Sequence, residues 1–160
     1  MTSPATALRS EVKDRLHPVI EQKGFSREQA SSLFTPFRRE RDGKVHVVEI
    51  QWDKYQRPAF VLNFGEAQSG ELVINGVRVA AGRVTPAECR LNGRLQRYRC
   101  GSAGCWFRLR KPWVEMLTTG KWNFRPDEVA DEVAQAFGEM EEWFASKAEG
   151  PHIYIPRAGR

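Results

Sequence analysis

An α+β fold, with a largely antiparallel sheet built from hairpins and packed by an N-terminal and a C-terminal helix, is predicted by three features of this sequence. Asp42-Gly43 and Asn75-Gly76 each separate two extended runs, and both dipeptides tolerate the positive φ that a two-residue hairpin turn demands. Apolar residues recur every three or four positions near both ends of the chain, the stripe of an amphipathic helix. Between these stripes the apolar residues alternate, as on strands with one buried face.

Leu8, Val12, Leu16, Val19 and Ile20 carry the first stripe, and Gly24 suits a left-handed cap, so a helix is expected over Thr6 to Lys23. Pro18 lies inside it and predicts a kink or an interruption near His17. Strands follow at Leu33 to Arg41, Lys44 to Asp53 and Pro58 to Gly65. Alternation puts His46, Val48, Ile50 and Trp52 on one core-facing side, with Phe60, Leu62 and Phe64 beside them. The other side mixes Val45, Val47, Glu49 and Gln51 with Ala59, Val61 and Asn63, so it is not plain core. A second hairpin is expected over Leu72 to Ala80. Thr85-Pro86-Ala87-Glu88 has capping-box spacing and predicts a short helix ending near Asn92-Gly93. Leu95 to Arg99 and Cys105 to Arg110 read as strands. The last helix starts at Pro126-Asp127-Glu128, runs through Val129, Val133, Phe137, Met140 and Phe144, and stops at Gly150-Pro151. On this face assignment Phe137→Ala is expected to be severe and Glu141→Ala mild.

The chain of 160 residues, 41% hydrophobic and 28% charged, has the composition of a packed single domain. We expect one domain over residues 1–150 and a short mobile tail over 151–160. Met1 to Leu8 lacks the apolar stretch of a secretory signal, and no run approaches the roughly 20 apolar residues of a membrane span. Three cysteines, Cys89, Cys100 and Cys105, are an odd number in a chain large enough to fold without staples. That suits free thiols in a reducing compartment, so a cytoplasmic location and no membrane partner are expected.

The order of elements carries a resemblance. Gly24-Phe25 after the first helix, Gln51 on a strand, Asn63 and Gly65 on the next, then Cys89, Arg94, Leu95 and Trp106 resemble the bacterial domain-of-unknown-function family numbered 4304. The resemblance spans Leu8 to Phe144 and departs at the Asn75-Gly76 hairpin and the Cys100 to Cys105 loop. It implies a compact α+β fold and no particular activity.

Catalytic and metal signatures are incomplete. Cys100 and Cys105 form one close pair, and Cys89 with His46 or His152 would have to complete a zinc site, which ordinarily takes two such pairs. No metal or cofactor is expected. His17, His46 and His152 are the only histidines, and no Gly-x-Ser-x-Gly elbow accompanies them. The Gly101 to Gly104 stretch lacks a phosphate loop's Gly-Lys-Ser/Thr ending and the helix after it. Carboxylates on the last helix lie opposite its apolar stripe, as on a solvated face.

Charge is segregated along the chain. From Arg83 to Lys111 eight bases face one acid, and from Pro126 to Glu149 eight acids face one base. Arg90, Arg94, Arg97, Arg99, Arg108 and Arg110 are interleaved with Tyr98, Trp106, Phe107 and Trp113. Arginine pairs with carboxylate or phosphate in bidentate fashion, and aromatic faces supply apolar anchors or stack on bases. The leading expectation is a non-catalytic binding module for a protein partner, acting through Arg90, Arg94, Arg97, Arg99, Trp106, Arg108 and Arg110. A nucleic-acid partner is the alternative. An enzyme ranks below both, favoured only if Glu49, Gln51 and Asn63 line a pocket with a perturbed carboxylate. A bland outcome is that the acidic helix docks on the basic segment within the same molecule.

Overall fold

A computed structural model of the chain describes residues 1–156. Helix α1 (Pro4–Gln22) is followed by strands β1 (Ser26–Arg27), β2 (Phe34–Arg41), β3 (Lys44–Trp52), β4 (Ala59–Gln68), β5 (Glu71–Ile74), β6 (Val77–Ala80), β7 (Leu91–Leu95) and β8 (Phe107–Arg108). Helices α2 (Trp113–Thr119) and α3 (Pro126–Ser146) come next, and β9 (Ile153–Tyr154) closes the fold. The main sheet has the order β1-β2-β3-β4-β7-β9, with β8 also on β4, and every pairing is antiparallel. This is the expected α+β architecture. β5 and β6 form a separate two-stranded ribbon.

Local chemistry accounts for the long elements. Ser3 caps α1 by accepting from the Thr6 N–H at 3.1 Å, and Gly24 takes φ +86° just after the helix. Pro18 does not interrupt α1. It sits on the exposed side, where the carbonyl it leaves unpaired, that of Asp14, stays within reach of water. Asp42 and Gly43 take φ +53° and +70°, the mirror-image turn expected between β2 and β3.

One face of the sheet carries Val48, Ile50, Trp52, Phe60, Leu62, Phe64 and Leu95, and packs against α1 and α3 in the main core. Phe137 and Met140 of α3 are fully buried there. Half of the opposite face is covered too: Val45, Val47 and Ala67 meet Ala81, Val84 and Cys89 in a second small core roofed by residues that follow the β5–β6 ribbon.

Polar groups enter the main core beside α3. Arg39 donates to His46 Nδ1 at 3.0 Å, to the Lys23 carbonyl at 2.8 Å and to Glu141 at 2.9 Å, and lies over the Phe25 ring. The His46 ring stacks on Phe144. Burial, reinforced by the Arg39 charge, pushes the imidazole down to about 4. Burial pushes Glu66 up, but the ammonium groups of Lys147 and Lys44 more than offset this and hold it below the usual carboxylate range. Glu141 is therefore the partner of a buried arginine, not the inert surface group its helical position predicts.

Other expectations shift. The stretch expected to be a short helix after Thr85 is a single 3-10 turn, Pro86–Glu88, with the Glu88 carboxylate accepting from the Thr85 N–H. The strand expected over Leu95 to Arg99 lies earlier, over Leu91–Leu95, because Asn92 and Arg94 find register partners on β4. Past Leu95 the chain leaves the sheet, and Gln96 turns back to donate to the carbonyls of Tyr98 and Cys100. The run expected as a strand over Cys105 to Arg110 keeps only Phe107–Arg108. Cys100 and Cys105 are joined by a disulfide, not free as expected, because the turn at Ala103–Cys105 folds the second back onto the first; Cys89 is free and buried. Part of the expected tail is ordered: Ile153 is buried and pairs with Leu95. The rest of that tail, 157–160, lies outside the described residues. No helix among the described residues is long and apolar enough to cross a membrane.

Candidate functional site

The basic segment does not form an open ribbon. Arg97 is buried and makes a two-pronged pair with Glu132 of α3, at 2.9 and 2.6 Å, while also donating to the Arg108 carbonyl. Arg99 pairs with Glu149 at 2.6 Å. Arg108 is partly buried and donates to the Ala103 carbonyl. Trp106 is buried, with no partner for its indole N–H among the described residues. Two of the eight bases of the segment are thus joined to acids of the 126–149 block inside one molecule, Glu132 on α3 and Glu149 just past its end. Arg90 and Arg110 remain exposed, and Arg94 is half-buried on a different part of the surface.

Next to this segment lies a feature that the sequence pattern did not assign. Residues 109–111 and 122–124 pair as a neck: Lys111 N–H donates to the Trp122 carbonyl at 3.0 Å, Phe124 N–H donates to the Leu109 carbonyl at 2.7 Å, and Arg110 bridges to Asn123. The neck closes a protrusion containing α2, which Pro112 opens and Gly120, at φ +65°, terminates. α2 buries none of its residues. Trp113 is 68% exposed and Leu117 76%, and Val114 and Trp122 are exposed with them. Trp113, Val114 and Leu117 fall at spacings of three and four, so they share one helical face. Around them the stretch 108–125 holds five bases and one acid, Glu115. The sequence signals, proline before and glycine after, were present, but seven residues give too short a stripe for periodicity to register.

Glu49, Gln51 and Asn63 do come together. They lie on the half of the second sheet face that the small core leaves uncovered, in a cleft of about 480 Å³ that also takes in Phe34, Pro86, Asn92, Arg94 and Pro156. Asn63 donates to Gln51 at 2.8 Å and lies 3.4 Å from Glu49. Burial raises the Glu49 carboxyl above its ordinary range, partly offset by the Asn63 contact.

Nucleophilic chemistry finds little support in these groups. Burial pushes the Cys89 thiol up to about 11, so it is protonated near neutral pH. His152 is held by Glu139 at 2.6 Å, and His46 is locked between Arg39 and Phe144. No group of three or more metal-ligating side chains occurs among the described residues. Comparison of the chain with protein-family models, with curated proteins and with solved structures found no match.

Proposed function

We propose that the protein is a binding module for a protein partner, and that the contact surface is the α2 protrusion. The observation that carries this reading is a helix that buries nothing of its own and shows Trp113, Val114 and Leu117 to solvent beside Trp122. Isolated apolar side chains on a surface need no explanation, whereas four exposed large apolar residues within positions 113–122, two of them tryptophans, have the composition of an interface hot spot. Arg110, Lys111 and Lys121 supply a basic rim, which suits a partner that presents an apolar side chain within an acidic surface. Arg97, which donates to the Arg108 carbonyl and lies over the Phe124 ring, acts in this reading as an internal support for the neck, Arg110 as a direct contact, and Trp106 as a buried group outside the contact surface. A cytoplasmic setting belongs to the same proposal, although the Cys100–Cys105 disulfide runs against the free thiols expected in a reducing compartment.

The test is photo-crosslinking from position 114 in the full chain, followed by identification of the captured protein and measurement of its affinity for the purified module. Trp113→Ala with Leu117→Ser is expected to weaken binding by at least about 2 kcal/mol, roughly thirtyfold, at an unchanged melting temperature, because neither side chain is buried. Unchanged affinity in that variant overturns the proposal. Capture that nuclease abolishes, with an affinity falling steeply against salt, replaces it with the nucleic-acid alternative.

A further inference from the structure

We propose that the cleft on the open half of the second sheet face is a separate binding site for an α-amido carboxylate, the chemistry of an N-acylated amino acid or of a peptide's C-terminal residue, with the carboxylate on Arg94 and the amide N–H on Glu49. This site rests on residues other than those of the α2 protrusion and stands whether or not that protrusion binds a protein.

The geometry comes from strand register. Glu49 is paired with Asn63 across β3 and β4, and Asn63 with Arg94 across β4 and β7. Register partners project from the same face, and adjacent strands are about 4.8 Å apart, so the Glu49 and Arg94 backbones stand about 10 Å from each other with Asn63 between them. All three side chains line the same cleft. An amide-linked residue is of the length to bridge such a row.

The row has unused bonding capacity. Among the described residues the Arg94 guanidinium meets no acceptor, and the side-chain amide of Gln51 accepts from Asn63 but donates to nothing. A half-buried guanidinium is the best available side chain for a planar anion, because its two parallel N–H groups match the two oxygens of a carboxylate. Glu49 at the other end of the row supplies an acceptor for an N–H.

Charge balance narrows the ligand class. Among the described residues one cation and one carboxyl group face the cleft, so a phosphate dianion would meet Glu49 and a simple amine would meet Arg94 unfavourably. A monoanion with a hydrogen-bond donor a few bonds away satisfies both ends. Phe34 and Pro86 offer apolar wall for a side chain. The volume of about 480 Å³ lies within the usual range for small-molecule sites.

The experiment is a backbone-amide NMR titration of the full chain with a panel of N-acetyl amino acids and tripeptides, alongside the same compounds as C-terminal carboxamides and inorganic phosphate. Saturable shifts are expected at residues 49–51, 63 and 92–94 with the free carboxylates alone. Equal affinity for N-acetyl amino acids and tripeptides identifies a small-molecule site, and tripeptides binding at least about tenfold tighter identify a peptide terminus; either supports the proposal. Arg94→Gln is expected to weaken binding by about tenfold or more, and Glu49→Gln to weaken it less, since the amide oxygen still accepts. Both variants should melt as the wild type does, Arg94 having no protein acceptor to lose. Should Arg94→Gln fail to fold, Arg94→Lys keeps the charge but removes the planar fork, and an intermediate loss is expected. No saturable shift with any carboxylate up to about 10 mM, equal binding of carboxamide or phosphate, or full binding by the Arg94 variant overturns it.

Discussion

Removing the Glu141 carboxylate should unfold the protein more readily than a helix-surface position suggests. Its oxygen accepts from Arg39 at 2.9 Å, and the Arg39 side chain is 4% exposed against 19% for Glu141. Glu141→Ala leaves a buried guanidinium with the Lys23 carbonyl and His46 Nδ1 as its remaining acceptors. Stripping one partner from a fully buried pair costs about 3–5 kcal/mol, and a charge-assisted hydrogen bond about 1.5–3. Glu141 keeps some contact with solvent, so water can enter the vacated space, and we place the loss at about 2–3 kcal/mol. Urea denaturation at neutral pH measures this as a lower midpoint at unchanged m-value. Arg39→Ala should cost more, because it also leaves His46 without its donor and removes the cation from the Phe25 face. The double variant should then cost little beyond Arg39→Ala alone. A Glu141→Ala loss under about 0.5 kcal/mol, or strict additivity in the cycle, refutes the network.

Phe137→Ala is expected to lower stability by about 3–5 kcal/mol in the same assay, since a fully buried aromatic leaves a cavity in the main core. Acid should destabilise the fold through His46: the unfolded imidazole gains a proton near pH 6.5 and the folded one only near 4, so this contribution of roughly 3 kcal/mol is present above pH 6.5 and is lost as pH falls toward 4. His46→Asn should flatten the stability profile across that window. A Cβ at Gly65 would lie 2.6 Å from Cys89 Cβ and 3.1 Å from the Pro86 carbonyl oxygen, so Gly65→Ala should cost about 1–3 kcal/mol and shift the amide signals of the turn that walls the cleft. Treatment with a chelator should leave the melting temperature unchanged, and a large drop with stoichiometric zinc in the untreated protein would show a site absent from the described residues.

Elements whose signals lie within a few residues were legible in the chain. The stripe of α3, the Asp42-Gly43 and Asn75-Gly76 turns and the alternation of β3 and β4 each follow from backbone preferences and burial acting inside one short window. The segment 91–110 was not legible in that way. Its strand is displaced toward Leu91 because pairing with β4, some 30 residues earlier in the chain, outweighs its own β propensity.

The candidate sites divide along the same line. Sequence by itself determined that two blocks of opposite charge exist, that Glu49, Gln51 and Asn63 share a strand face, and that Trp113 lies in a basic stretch. Only the tertiary structure decided that Arg97 and Arg99 are joined to acids 35 and 50 residues away, that Arg94 completes the row begun by Glu49 and Asn63, and that α2 stays uncovered while Trp106 does not. The physical reason is range. Helical and strand periodicity is set by each residue's near neighbours, whereas whether a charge is paired or a ring is buried depends on which distant surface the fold brings against it.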